Sequence, residues 1–173
     1  NKTENGAAKV NFNVLYKGEP QTIYGPTIMN KPLAGEKEGQ PNKIGMSLVH
    51  KLGVIVGLAD GEEFTIEEEV HAVGKDRVDT TFDVITDFSG AEVYLHVVRE
   101  YSRYNGEIRS ALSIRNVFRA NDCASAAEVE NNKDFGKQYE ISLEKYCNPA
   151  YRDGVTAEEA EAFEEQRKAS RGK

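Results

Sequence analysis

Two cysteines, Cys123 and Cys147, are all that this 173-residue chain contains. They stand in no metal-ligand spacing, so they read as free thiols in a reducing compartment, not as a disulfide framework or a zinc site. Long apolar runs are also missing: the longest is too short to cross a bilayer, and the start carries no signal-peptide pattern. A soluble, cytoplasmic protein with no membrane partner is expected. The chain starts with Asn, not Met, and reads as a fragment or a processed form. There is no phosphate-binding glycine loop, no nucleophile elbow and no HExxH. His50, His71 and His96 fall in different predicted elements, none in a catalytic context. These absences argue against an enzyme and leave no role for a cofactor or metal.

With 39% hydrophobic and 29% charged residues, the chain suits one domain, or one domain plus an appendage, and can build a core. Its net charge of −7 argues against a polyanion ligand when taken as a whole. The distribution is uneven, however: residues 62–69 hold five glutamates and 158–165 five more, whereas 99–119 hold five arginines against Glu100 and Glu107. A basic strip on an acidic body still focuses positive potential locally.

That strip lies in the most strongly patterned stretch, Val93 to Phe118. Two runs of β-branched and aromatic residues flank Asn105-Gly106, a pair suited to a type I′ turn because both central residues need positive φ. Pairing about this turn sets Tyr104 opposite Glu107, Ser102 opposite Arg109, Glu100 opposite Ala111, Val98 opposite Ser113, His96 opposite Arg115 and Tyr94 opposite Val117. These residues form one face, read as a surface of Tyr, His and Arg. The other face carries Val93, Leu95, Val97, Arg99, Tyr101 and Arg103 against Ile108, Ser110, Leu112, Ile114, Asn116 and Phe118, and reads as core. A single β-bulge would swap the faces beyond it. Aromatics interleaved with arginines suit a single-stranded nucleic acid, since bases stack on flat side chains and guanidinium groups meet phosphates. The plainer reading is a solvated hairpin whose arginines neutralise nearby acids.

Around this hairpin, residues 1–8 read as a disordered N-terminus. Alternation from Lys9 to Tyr16 predicts a strand, and QTIYGPTIM a second one broken at Gly25-Pro26; together they make a first hairpin. Residues 30–43 form a loop whose Lys31, Lys37 and Lys43 could fold over a polyanion, or which simply connects. Asn42 can cap a helix to about Leu58, with Gly57 near its end, while Gly45, Gly53 and the β-branched Val54-Ile55-Val56 also suit a short helix followed by a strand. EEFTIEEEVHAVG reads as a second short helix or an acidic loop, with Thr65 and Glu68 in capping-box spacing, so a helical insertion spans about 42–72. RVDTTFDVITDFSG offers another strand. Beyond the long hairpin come a polar loop with one helical turn near Ser125–Val129, then a strand or helix over Gln138–Tyr146, stopped by Asn148-Pro149. From 151 to 173, Thr156 and Glu159 form a capping box for an acidic C-terminal helix with a basic end; its apolar stripe is thin, so it is expected to project, dock weakly or bind a partner.

The whole is expected to be mainly β with α insertions: an OB-like small Greek-key barrel over residues 9–150, with a long β-hairpin and a C-terminal helix. At NKIGMSLVHKLGVIVGL, EEFTIEEEV and REYSRYNGEIRSALSIRNVF the order of features resembles bacteriophage-encoded single-stranded-DNA-binding proteins of the OB-fold kind. The resemblance covers residues 42–119, rests on pattern with no diagnostic motif, and departs from the family where an acidic tail is often found: the sequence ends RKASRGK, which reads as a tail missing, truncated or replaced by the acidic helix. It implies sequence-independent binding of single-stranded DNA in phage-type replication or recombination, in a host cell's cytoplasm. Tyr94, His96 and Tyr104 would then stack on bases, with Tyr16, Tyr24 or Phe82 joining from neighbouring strands. Arg109 and Arg115 would meet phosphates, with Arg99, Arg103 and Arg119 at the margins, and the C-terminal helix would meet replication or recombination proteins. The alternative, from a different class, is a structural or adaptor protein, for instance a viral assembly or virion component, whose Tyr/Arg hairpin is a protein interface.

Overall fold

The computed structural model describes residues 7–35, 39–59, 61–73 and 76–171. The first six residues and Lys37, both named above, lie outside the described residues. The chain is mainly β, with three antiparallel hairpins and four helices among the described residues. The sheets remain separate: two of two strands and one of three, none closed into a barrel.

The first hairpin joins β1 (Ala8–Tyr16) to β2 (Glu19–Met29). Strand β2 does not break at Gly25-Pro26; the register shifts there, and the two residues stand opposite Val10 alone. The ends of the following loop are pinned together, since Asn30 N donates to Gln40 O at 2.9 Å and Asn42 N to Ile28 O at 2.7 Å.

Helix α1 (Lys43–Val56) starts where expected: the Asn42 side chain accepts from the backbone N–H groups of Ile44 and Gly45, and Gly57 closes the helix at φ 88°. Gly45 is a requirement of packing, because a Cβ there would sit 2.0 Å from the Thr27 carbonyl oxygen of β2. The buried stripe Leu48, Leu52 and Ile55 packs with Val117 and Ala126, joined by Phe12, Val93, Leu95 and Ile114.

The acidic stretch is neither helix nor loop. It is strand β3 (Ile66–Val73), paired with β4 (Val78–Ile85) from Ile66↔Ile85 to Val73↔Val78. The Thr65–Glu68 box does not form; Thr65 N donates instead to Asp87 Oδ2 at 2.7 Å, across the base of the hairpin. A capping box is a local option, and ladder pairing with residues 78–85 overrides it. The helical insertion is therefore confined to α1.

Strands β5 (Val93–Tyr104) and β6 (Glu107–Arg119) form the long hairpin about Asn105 (φ 50°) and Gly106 (φ 81°). The predicted register holds from Tyr104↔Glu107 to Val97↔Ile114, then shifts: His96 faces Asn116 and Tyr94 faces Phe118, leaving Arg115 as the extra residue of a bulge. The bulge exchanges Val117 and Phe118. Val117 turns to α1, while Phe118 joins the Tyr94 face; both are fully buried.

Helix α2 (Ala126–Asn131) opens with a Ser125–Glu128 capping box, and Gln138–Tyr146 resolves to a helix, α3 (Lys137–Lys145). The buried Glu128 carboxylate joins the two, accepting from Ser125 N and Gln138 N, each at 2.7 Å. The short strand β7 (Ala150–Tyr151) pairs in parallel with Glu100 and Tyr101 of β5. Helix α4 (Ala157–Arg171) keeps its Thr156–Glu159 box but does not project. Ala160 is buried, and with Phe163 and Val155 it packs on Tyr101 and Ile108 of the hairpin.

Candidate nucleic-acid interface

The eight residues singled out in the hairpin do not share one surface. Arg99 and Arg103, on the face with Tyr101, lie under α4: Arg103 pairs with Glu159 at 2.6 Å and Arg99 with Glu164 at 3.7 Å. Tyr101 OH donates to the same Glu164 at 3.1 Å, and Arg167 donates to Ser110 Oγ at 3.0 Å. The acidic run of α4 is thus the counter-charge of this face, as the plainer reading expects of these two arginines.

The opposite face carries Tyr94, His96, Tyr104, Arg109 and Arg115. At the tip, Tyr104 is 56% exposed and the Arg109 guanidinium lies 4.3 Å from its ring centre. Arg109 makes no ion pair among the described residues. Midway, Arg115 and Arg152 both donate to one oxygen of Glu100, so two guanidiniums share a single carboxylate and one positive charge is left over. Burial alone would raise the Glu100 pKa; hydrogen bonds from Arg152 and Ser113 and the charges of Arg115 and Arg152 outweigh it and hold it below the ordinary value.

Nearer the base, Arg115 and Lys145 lie over the Tyr146 ring, at 5.6 and 5.4 Å. His96 meets that ring edge-on and shares a 2.8 Å hydrogen bond with Ser142 Oγ. Burial first, and the Arg115 charge second, lower its pKa, so the ring stays neutral at physiological pH and is held in place. Tyr94, 49% exposed, rests against Tyr139, which meets Phe118 edge-on at 5.2 Å. Arg119, the last residue of the ladder, pairs with Val93 on the side of Val117; its side chain binds Asp122 with two nitrogens at 3.0 and 2.6 Å and covers Phe135, itself 45% exposed. Phe135 and Tyr139 together line a shallow depression of about 400 Å³ with Cys123 and Lys137.

Phe135, Tyr139, Tyr146 and Arg152 were not among the expected site residues. A signal for three of them exists: Phe135, Tyr139, Ser142 and Tyr146 recur at i, i+4, i+7 and i+11, one helical stripe. Of the neighbouring-strand candidates, Tyr16 and Tyr24 are exposed on the first hairpin, while Phe82 lies against His71 on β4.

Comparison with known protein families, curated proteins and solved structures finds no match to this chain. Among the described residues no helix is long and apolar enough to cross a membrane.

Proposed function

We propose that this protein binds single-stranded DNA without sequence preference along the Tyr94–Tyr104 face of the long hairpin, in a phage-type replication or recombination setting. The observation that carries the reading is the set of rings with cations against them, Tyr104 under Arg109 and Tyr146 under Arg115 and Lys145, with Phe135 under Arg119 beyond the end of the ladder. Rings offer bases a stacking surface worth about 1–3 kcal/mol each, and the guanidiniums offer phosphates a charge. The Arg119–Asp122 pair is open to solvent and screened by it, so a phosphate can take the place of the carboxylate. His96 and Arg115 position the row, and Arg99 and Arg103 hold α4. The OB-type plan enters the proposal in open form, with a hairpin face that α3 covers only near its base in the role of a barrel's binding face. The inner side of α4 is spent on the hairpin, so a replication or recombination partner would meet its outer acids.

A protein partner on the same face is the competing reading, favoured by the net charge of −7. A fluorescence-anisotropy titration with an unstructured oligonucleotide at low and moderate salt separates the two. Binding at micromolar protein that weakens as salt rises is expected for single-stranded DNA. No binding at low salt removes this reading.

A further inference from the structure

The β3–β4 hairpin is used by nothing described so far. Its base is fixed: Thr65 N and Oγ1 both donate to Asp87, Thr86 N donates to Thr65 O at 3.0 Å, and Phe64 meets Phe88 edge-on at 5.5 Å. Beyond that base the strands pair only with each other among the described residues. A two-stranded hairpin without a covering layer is marginal in water.

Its two faces differ. One carries Phe82, half-buried, against Glu69 and His71, themselves joined by a 2.8 Å hydrogen bond. The other carries Ile66, Glu68, Val70 and Ala72 opposite Ile85, Asp83, Thr81 and Asp79. Here Ile66 is 61% and Val70 64% exposed, and Glu68, Asp83, Ala72 and Asp79 are exposed beside them. Glu68 and Asp83 stand directly opposite each other, a like-charge pair that destabilises a ladder. Exposed Ile66, Val70 and Ala72 thus alternate with carboxylates, the repelling Glu68–Asp83 pair between Ile66 and Val70 and Asp79 opposite Ala72, that have no cation against them among the described residues.

From this we propose that the Ile66–Ala72/Asp79–Ile85 face is a docking surface for an extended, basic, amphipathic segment of a partner protein. Residues 66–85 hold six carboxylates against Lys75 and Arg77, so a second copy of the arm is repelled, and so is a nucleic acid. A segment alternating Lys or Arg with Val or Ile places its apolar side chains on Ile66 and Val70 and a cation between Glu68 and Asp83. The surface is separate from the Tyr94–Tyr104 face and does not depend on what that face binds.

The test uses the full chain and a fluorescein-labelled eight-residue peptide of alternating Lys and Ile, followed by anisotropy. Glu68→Lys with Asp83→Lys should weaken binding at least tenfold. Glu161→Lys with Glu165→Lys makes the same charge change on the exposed side of α4 and should weaken it less than threefold. Val70→Ser, which leaves the charge untouched, should weaken it several-fold, with the far-ultraviolet circular dichroism of every variant unchanged. Equal losses from the β3–β4 and α4 charge reversals would overturn the proposal, because attraction would then be to the acidic body as a whole. So would a concentration-dependent dimer abolished by Val70→Glu, which would make a second copy the occupant.

Discussion

The long hairpin β5–β6 and the arm β3–β4 are built by the same local rules and meet different fates. Each is a pair of alternating strands rich in β-branched and aromatic residues. The long one receives α1 and α4 on one face and α3 on part of the other, and its Val98, Val117 and Phe118 are fully buried. Among the described residues the arm receives no layer, and comparable residues, Ile66, Val70 and Val78, are 60–64% exposed. Alternation therefore decides that a strand forms, while the helices packed against it decide whether its apolar face is core or surface.

Large-to-small changes in the two hairpins break this contrast open. Phe118→Ala should cost about 3–5 kcal/mol in denaturant unfolding, because it empties a closed site against Tyr139. Next comes the support between α2 and α3: Glu128→Ala leaves the Ser125 and Gln138 N–H donors without their acceptor and should cost about 1–3 kcal/mol.

Glu128 also sets a pH dependence. Burial pushes its pKa up, but the N–H groups of Ser125 and Gln138, the Ser125 hydroxyl and the Gly136 N–H hold it below the ordinary value. A depressed carboxylate stabilises the fold above its unfolded pKa and loses that contribution as pH falls, here below about 4.5. His96, also depressed, is stabilising while neutral and loses its contribution as pH falls below about 6.5. Unfolding midpoints measured from pH 8 to 3 should fall in both windows, and Glu128→Gln should flatten the lower one.

Smaller effects sharpen the comparison. Tyr101→Phe removes the hydroxyl bonded to Glu164 and should cost about 1 kcal/mol, read as a lowered midpoint. Val70→Ser on the uncovered arm should stay within about 0.5 kcal/mol of the parent. A loss of several kcal/mol there would mean that the arm is covered in solution.

Much of the fold was legible because it is written in neighbouring residues. Asn105-Gly106 marks the long turn, Asn42 and Gly57 bound α1, and Thr156 with Glu159 opens α4. What stayed hidden depends on distant partners. The bulge at Arg115 leaves no local mark, and it exchanges which of Val117 and Phe118 faces α1. The Thr65–Glu68 pattern is sound as a helix start and loses to a ladder formed with residues 78–85. The thin stripe of α4 leaves projecting, weak docking and partner binding open, and long-range partners decide for docking: Ala160 and Phe163 meet Tyr101 while Glu159 and Glu164 find Arg103 and Arg99. The same long-range pairing divides the site: Tyr94, Tyr104 and Arg109 keep their exposed face, and Arg99 and Arg103 belong to the fold. The rings supplied by Phe135, Tyr139 and Tyr146 come from a stripe whose docking face the sequence does not state.

The proposed division of the long hairpin into a face that binds an oligonucleotide and a structural face is tested most directly by one paired measurement: oligonucleotide affinity and thermal midpoint for Tyr104→Ala with Arg109→Glu against Arg103→Ala. The tip variant should lose at least tenfold in affinity at an unchanged midpoint, and Arg103→Ala should lower the midpoint and keep affinity within about twofold. Affinity that follows Arg103 and ignores Tyr104 and Arg109 would contradict the division.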